Sequence, residues 1–485
     1  MVKTALYSIT ASDLKGDLSF LASDALQGRY TPSFGLDVAA EFIASRFRAA
    51  GLEPGGDQDY FQTAAMVDRH MPKALTDMTA QDGPQSFTVP AQSISIADAN
   101  QATKIDHAPV IVFPSRDPDA IKNIDMAGKA IVVPAQPPPK VPREQMAAIY
   151  RKMHAFDRVI ASSNAAVEIF VGQERQPQNG KLLPANEAQE HRTPSVYASS
   201  SELQKWIDQP AGTAQRSVSL DIPAPDDHKV VLKNVVGILR GSDPVLKNTC
   251  VLLSAHYDHI GTTDTAGRMA MNRSGNPSDH IYNGANDDGS GTVSVIGIAQ
   301  ALAKLNARPK RTVVFIAFFG EERGELGSQY YSKHPVFPLA KTVADLNLEQ
   351  LGRTDSTLGP QVNDLSMTGF DYSEVTKYLE EAGKETGIKV YIDREDSDAY
   401  FMRSDNAALA EVGVPAHTLT VAFDFPDYHG LGDKWQKIDY ENMARVDRTI
   451  ALGLIDIANA AKAPEWNVQN SKTMPFREAQ QRMRK

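Results

Sequence analysis

The chain reads as an α/β protein: a mostly parallel central sheet with helices on both faces, carrying a small inserted α+β domain. Three observations predict this. From Val230 onward, apolar runs that suit buried strands alternate with segments of helical periodicity, the pattern of a parallel sheet covered on both sides. The 485 residues exceed the usual size of a single core. Between about Ala91 and Pro225 the texture changes to short β-like runs around one amphipathic helix, with Pro137 to Pro139 and Pro223 to Asp227 as punctuation. The expected division is therefore 1–90 for the first part of the principal domain, 91–225 for the insert and 226–485 for the rest of the principal domain.

In chain order, Ser12-Asp13 is expected to cap a first helix with Leu14, Leu18 and Leu21 at helical spacing. A second helix is expected over about Leu36 to Ala50, burying Val38, Phe42, Ile43 and Phe47, with Gly51 as its stop. In the insert, Val110 to Phe113, Ala130 to Val133 and Val167 to Val171 read as strands, and Met146, Ile149, Met153, Phe156 and Ile160 lie along one helix face. Four strands of the principal domain come next: Cys250 to Ala255, Thr312 to Phe319, Val343 to Leu348 and Pro415 to Phe423. A helix capped by Ser290 buries Val295, Ile298, Leu302 and Leu305. The polar tail after Pro464 is expected to fray.

Hydrophobic residues at 42% and charged residues at 23% are ordinary for a globular protein. The net charge of -10 gives no electrostatic reason to expect nucleic acid as a partner. No stretch approaches the roughly 20 apolar residues of a membrane helix. Cys250 is the only cysteine, so an internal disulfide is impossible and a metal site must use histidine and carboxylate. The opening residues lack the apolar core of a signal peptide, which suits either a cytoplasmic protein or a trimmed mature chain.

The chemistry lies just past the strands. The first strand runs into His256-Tyr257-Asp258, the second into Gly320-Glu321-Glu322, the third into Glu349 and the last toward Tyr428-His429. Asn286-Asp287-Asp288-Gly289-Ser290-Gly291 opens a helix. Open α/β sheets build their sites beyond the carboxyl ends of strands, so these residues can converge. His256 suits a metal, with Asp258 behind it to orient the ring. One of the two adjacent aspartates is placed to bridge two cations. Of the pair Glu321-Glu322, whose charges repel when buried, one carboxylate suits a metal and the other a proton from water. Each piece also has a bland reading: an Asp/Gly turn, a solvated Glu-Glu-Arg323 loop, a surface histidine. Two imidazoles and at least three carboxylates at strand ends together favour a site for two borderline divalent cations, zinc first.

With Ala255-His256-Tyr257-Asp258, Asn286 to Gly291, Gly320-Glu321-Glu322, Asn347-Leu348-Glu349, Arg403-Ser404-Asp405 and Tyr428-His429 in view, the chain resembles the zinc-dependent exopeptidases that include bacterial secreted aminopeptidases, plasma carboxypeptidases and glutamate carboxypeptidase II. Leu21 to Arg29 resembles that family's N-terminal region, and the insert resembles a protease-associated domain. The resemblance implies two Zn2+ per chain. Asp287 would bridge them, His256 and Glu349 would complete one site, and Glu322 and His429 the other. Glu321 would be the general base, Tyr428 an oxyanion donor, Asp258 a support for His256 and Arg403 a substrate contact. It further implies a cis bond after Asp287, peptide substrates and a periplasmic or secreted location. Two positions depart from the family's pattern: Glu349 stands where Asp is frequent, and Asn406 where His is frequent. The expected activity is release of N-terminal residues. The alternatives are a carboxypeptidase or dipeptidase, a glutaminyl cyclotransferase on the same fold, and a metal-free binding module. The oligomeric state has no signature in the chain.

Overall fold

A computed structural model describes residues 2–72, 76–134, 141, 143–172, 180–209, 216–271, 278–357 and 359–484. Two compact units emerge: Met1–Ala64 with Val231–Lys485, and Ala65–Val230.

The first unit contains α1 (Ala11–Leu21), α2 (Phe34–Ala49), the start of β1 (Phe61–His70), most of β2 (Asp226–Leu239), β3 (Cys250–His256), α3 (Gly291–Ala303) and β4 (Thr312–Phe318). Then come α4 (Leu326–Lys333), β5 (Thr342–Leu348), β6 (Asp364–Met367), β7 (Lys389–Val390), α5 (Asn406–Glu411), β8 (Ala416–Thr420) and α6 (Tyr440–Asn459). The sheet order is β7-β6-β8-β5-β3-β4-β2-β1. Its four central strands, β8, β5, β3 and β4, are parallel, while β2 and β6 join antiparallel. Every residue of β3, β4, β5 and β8 is buried, as strands covered on both faces must be. Alternate residues face opposite ways. Leu252, Val314, Ile316 and Phe318 pack in one apolar cluster with Tyr331 of α4 and Leu409 of α5. Phe315 meets Phe47 of α2 on the other face, with ring centroids 6.4 Å apart, and α3 and α6 both contact β3. The expected doubly covered sheet is present.

Three local expectations need correction. Thr10, not Ser12, caps α1, because its side chain accepts the Asp13 N–H at 3.1 Å. Ser290 does not cap α3: it is already helical, and its hydroxyl donates back to the Asn286 carbonyl at 2.7 Å. Asp288 accepts the Gly291 N–H at 3.0 Å instead. The tail does not fray either. Trp466 is buried and donates to the Gly413 carbonyl at 3.0 Å, and Met474–Met483 forms a helix. The apolar ring of Trp466 supplies the burial that the polar composition around it conceals.

The second unit is built on an eight-stranded sheet. Thr103–Val112, Ala130–Pro134, Val167–Val171 and Ser195–Ala198 run parallel at its centre. Phe156 and Ile160 of the helix Arg143–Ala161 pack on one face, and Leu203 and Trp206 of Ser201–Asp208 on the other. Its first boundary lies before the expected Ala91. Met78–Asp82 and Gln85–Val89 are strands of this same sheet, paired through Arg216–Ile222, so they belong with the second unit. The Met146 side chain and Pro137 to Pro139 lie outside the described residues.

Candidate metal centre

The parallel strands end side by side and deliver their next residues to one place. β3 finishes on His256, β4 leads through Gly320 to Glu321-Glu322, and β5 leads to Glu349. Between β3 and α3 the chain makes a tight turn over Ala285–Ser290, with a cis peptide bond between Asp287 and Asp288, as expected. Asp433 holds this turn from below: its carboxylate accepts the N–H groups of Asn286 at 2.9 and 3.0 Å and of Asp287 at 3.1 Å. The Asn286 side-chain oxygen accepts the N–H groups of Gly352 and Arg353 at 2.8 and 2.9 Å, tying the turn to the segment after β5.

The turn places Asp287 between two imidazoles. One carboxylate oxygen lies 3.3 Å from Nε2 of His256, the other 3.2 Å from Nε2 of His429. Around His256, Glu349 stands at 3.7 Å and Glu321 at 3.9 Å. Around His429, Glu322 stands at 3.1 Å. Asp287 thus stands between two groups of side chains, His256 and Glu349 on one side and Glu322 and His429 on the other.

Supports surround these groups. Asp258 lies 3.5 Å from Nδ1 of His256 and accepts the Glu321 N–H at 3.1 Å and the Thr31 hydroxyl at 2.9 Å. It therefore anchors the backbone that carries the Glu321 carboxylate and stands beside the His256 ring. His429 is oriented by the Met269 carbonyl, 2.7 Å from its Nδ1. The Ser404 hydroxyl donates to Glu349 at 2.5 Å. Tyr428 stacks on His429 with ring centroids 4.1 Å apart.

Burial and crowding of like charges set the electrostatics. Burial pushes the Glu321 carboxyl well up, against the pull of His256 and with help from Glu349 and Glu322. Burial also lifts Glu349, to about 7. For Glu322 burial is overcome by His429, with hydrogen bonds from His259 and His429, and its carboxyl falls to about 2. Burial works against the charge on His429, but Glu322 and Asp287 carry it up to about 11. Burial first, then Asp287 and Glu322, keeps the Tyr428 phenol protonated and able to donate. The carboxylates demand positive charge at their centre. With imidazole Nε2 atoms facing carboxylate oxygens across a shared gap, the donor set fits a pair of zinc ions.

His259 was missed by sequence reasoning, although it comes directly after His256-Tyr257-Asp258. Its Nδ1 lies 2.8 Å from Glu322, its ring sits edge-on to His429, and it clusters with Asp287, Glu322 and His429. Asp433 and Ser404 were not singled out either, because a buried polar residue far along the chain gives no local signal of what it supports. Arg403 is not drawn into the cluster: it is exposed and lies over the Tyr400 ring, 4.5 Å from its centroid.

The likeness to known proteins falls on this same stretch. Residues 234–453 match Peptidase family M28. A "Probable zinc metalloprotease" of Pyrenophora teres f. teres is 29% identical over half of this chain and 52% of its own length. A "probable leucine aminopeptidase 2" of Aspergillus oryzae is 26% identical over 53% of this chain and 50% of its own. A "Vacuolar membrane protease" of Lodderomyces elongisporus is 26% identical over 37% of this chain and 18% of its own. The chain thus spans about half or less of the length of these relatives. In three dimensions the aminopeptidase from Aneurinibacillus sp. strain AM-1 matches 96% of this chain and 97% of its own, with a TM-score of 0.57 at 17% identity, which speaks to the fold. His256, Asp287, Glu321, Glu322, Glu349 and His429 all fall inside the stretch that matches Peptidase family M28.

Proposed function

We propose that this chain is a two-zinc metallo-exopeptidase that removes N-terminal residues from peptides. The observation that carries the reading is Asp287 set between His256 and His429, with Glu321 beside one of them. In this proposal His256, Asp287, Glu322, Glu349 and His429 hold the metals, and His259 orients Glu322. When bound, the two ions supply Lewis acidity toward a carbonyl and make water more acidic. Glu321 takes the proton of the attacking water and passes it to the leaving amine. Its backbone is anchored on Asp258, which keeps its carboxylate aimed while the proton moves. The Tyr428 hydroxyl donates to the oxygen on which negative charge develops.

The test is metal analysis of the purified protein together with a panel of aminoacyl anilides and matched free-amine and N-blocked peptides. Two equivalents of zinc with cleavage that requires a free amine are expected. Cleavage of N-blocked peptides at the carboxyl end would turn the reading to a carboxypeptidase, and cyclisation of glutaminyl peptides to a cyclotransferase. Absence of both metal and hydrolysis would leave a binding module. A periplasmic or secreted location belongs to the same proposal, and cell fractionation checks it. No helix among the described residues is long and apolar enough to cross a membrane.

A further inference from the structure

The second unit contains a repeated triplet that the chemistry above does not use. Asp68-Arg69-His70 ends β1, and Asp226-Asp227-His228 begins β2, its neighbour in the sheet. Residues two apart share a face of a strand. Accordingly, Asp68 lies 2.9 Å from Nε2 of His70, and Asp226 lies 3.1 Å from Nε2 of His228. The middle residues pair with each other: Arg69 donates to both oxygens of Asp227 at 2.8 and 2.7 Å, and also to the Ala188 carbonyl at 2.9 Å. This bidentate pair is rigid, and it fixes one strand against the other. The two histidines meet edge to face, with ring centroids 5.6 Å apart.

We propose that His70 and His228, backed by Asp68 and Asp226, form a further divalent-metal site made of residues other than those around Asp287. The chemistry is that of the carboxylate–histidine–metal arrangement. The Nε2–H donates to the carboxylate, which orients the ring and leaves the Nδ1 lone pair for a cation. Both imidazoles present this arrangement, which suits borderline cations such as Zn2+, Ni2+ or Cu2+ and not Ca2+ or Mg2+. Asp68 also has a buried carboxylate oxygen without a hydrogen-bond partner among the described residues. Exposure of 45% for the His70 side chain and 59% for that of His228 lets a hydrated ion arrive without unfolding the strands. The ligands lie near the two ends of the unit, which begins at Ala65 and ends at Val230. A metal held there would clip the entering strand to the leaving strand and close the long loop between them.

The test counts metal on the full chain. Wild type and the double variant His70→Gln/His228→Gln are titrated with Zn2+, separated from free ion by gel filtration and analysed for zinc. The double variant is expected to bind one equivalent fewer, with peptidase activity as a control that should not change. Asp226→Asn should retain the site with affinity for that equivalent lower by about 10–100-fold. Equal stoichiometry in wild type and double variant would overturn the proposal. A second measurement needs no substitution: Zn2+ should protect His70 and His228 from modification by diethyl pyrocarbonate, read by mass spectrometry. Unchanged labelling of both rings at saturating Zn2+ would count equally against it.

Discussion

Glu321 and Glu322 are adjacent in sequence, yet the fold gives them different neighbours. Glu322 stands 3.1 Å from His429 and 2.8 Å from His259, whereas the nearest imidazole nitrogen to Glu321 is that of His256 at 3.9 Å. The two should therefore fail in different ways. Glu321→Gln should retain the metals and lose activity by about 10²–10⁴-fold, the usual worth of a positioned acid–base group. Glu322→Ala should lose metal together with activity. Zinc analysis beside kcat separates the two outcomes, and loss of metal in Glu321→Gln would mean that the roles are exchanged.

Among the elements, the start of α3 and the middle of β5 carry testable constraints. A Cβ added at Gly291 would lie 2.5 Å from an Asp288 oxygen and 2.5 Å from the Leu348 carbonyl. Backbone at Leu348 cannot move away cheaply, so Gly291→Ala should destabilise by about 1–3 kcal/mol, as overpacking does. A lowered Tm in a thermal melt checks this. Within β5, burial raises the Asp345 carboxyl to about 7, with the Ser254 hydroxyl at 2.9 Å opposing. Between the unfolded value near 4 and the folded value near 7, the folded chain holds a proton that the unfolded chain releases. Stability contributed by this group is therefore greatest in acid and is lost as pH rises across that window. In urea unfolding at about pH 5 and pH 8, Asp345→Asn should show a smaller difference between the two midpoints than wild type. An unchanged difference would show that Asp345 is ionised throughout.

Across the first unit, Arg29 is the widest tie. Its side chain is 1% exposed and donates to the carbonyls of Tyr257 at 2.7 Å, Leu21 at 2.6 Å, Asn283 at 2.7 Å and Gly284 at 2.8 Å. These carbonyls belong to the end of α1, the segment after β3 and the approach to the Asp287 turn. Burial alone lowers the affinity of this guanidinium for its proton, with Asp258 and Asp433 opposing. Arg29→Met fills much of the volume but leaves carbonyls unsatisfied at about 1–3 kcal/mol each. A lower denaturation midpoint is expected, with reduced zinc retention because the same carbonyls flank the Asp287 turn. A midpoint equal to wild type would show that water takes the place of the guanidinium.

Local patterning specifies the strands and the residues just past them. Runs such as Cys250 to Ala255 and Thr312 to Phe319 are apolar because both sheet faces are covered, and that signal is legible in the chain itself. The metal-centre candidates His256, Asp287, Glu321, Glu322, Glu349, Tyr428 and His429 could be picked out because each stands at or close to the end of such a run, or in the acidic turn that opens α3. The supports are set by contacts between distant segments. Asp433 beneath the Asp287 turn, Ser404 on Glu349 and Arg29 across four carbonyls act through partners far away in the chain. Their worth lies in three-dimensional hydrogen bonding, which leaves no periodic trace. For the same reason Trp466 gave no warning that the polar tail would dock, and Met78–Asp82 did not reveal that it pairs with Arg216–Ile222. Periodicity reports that a residue is buried; which distant segment buries it is settled only when the chain has folded.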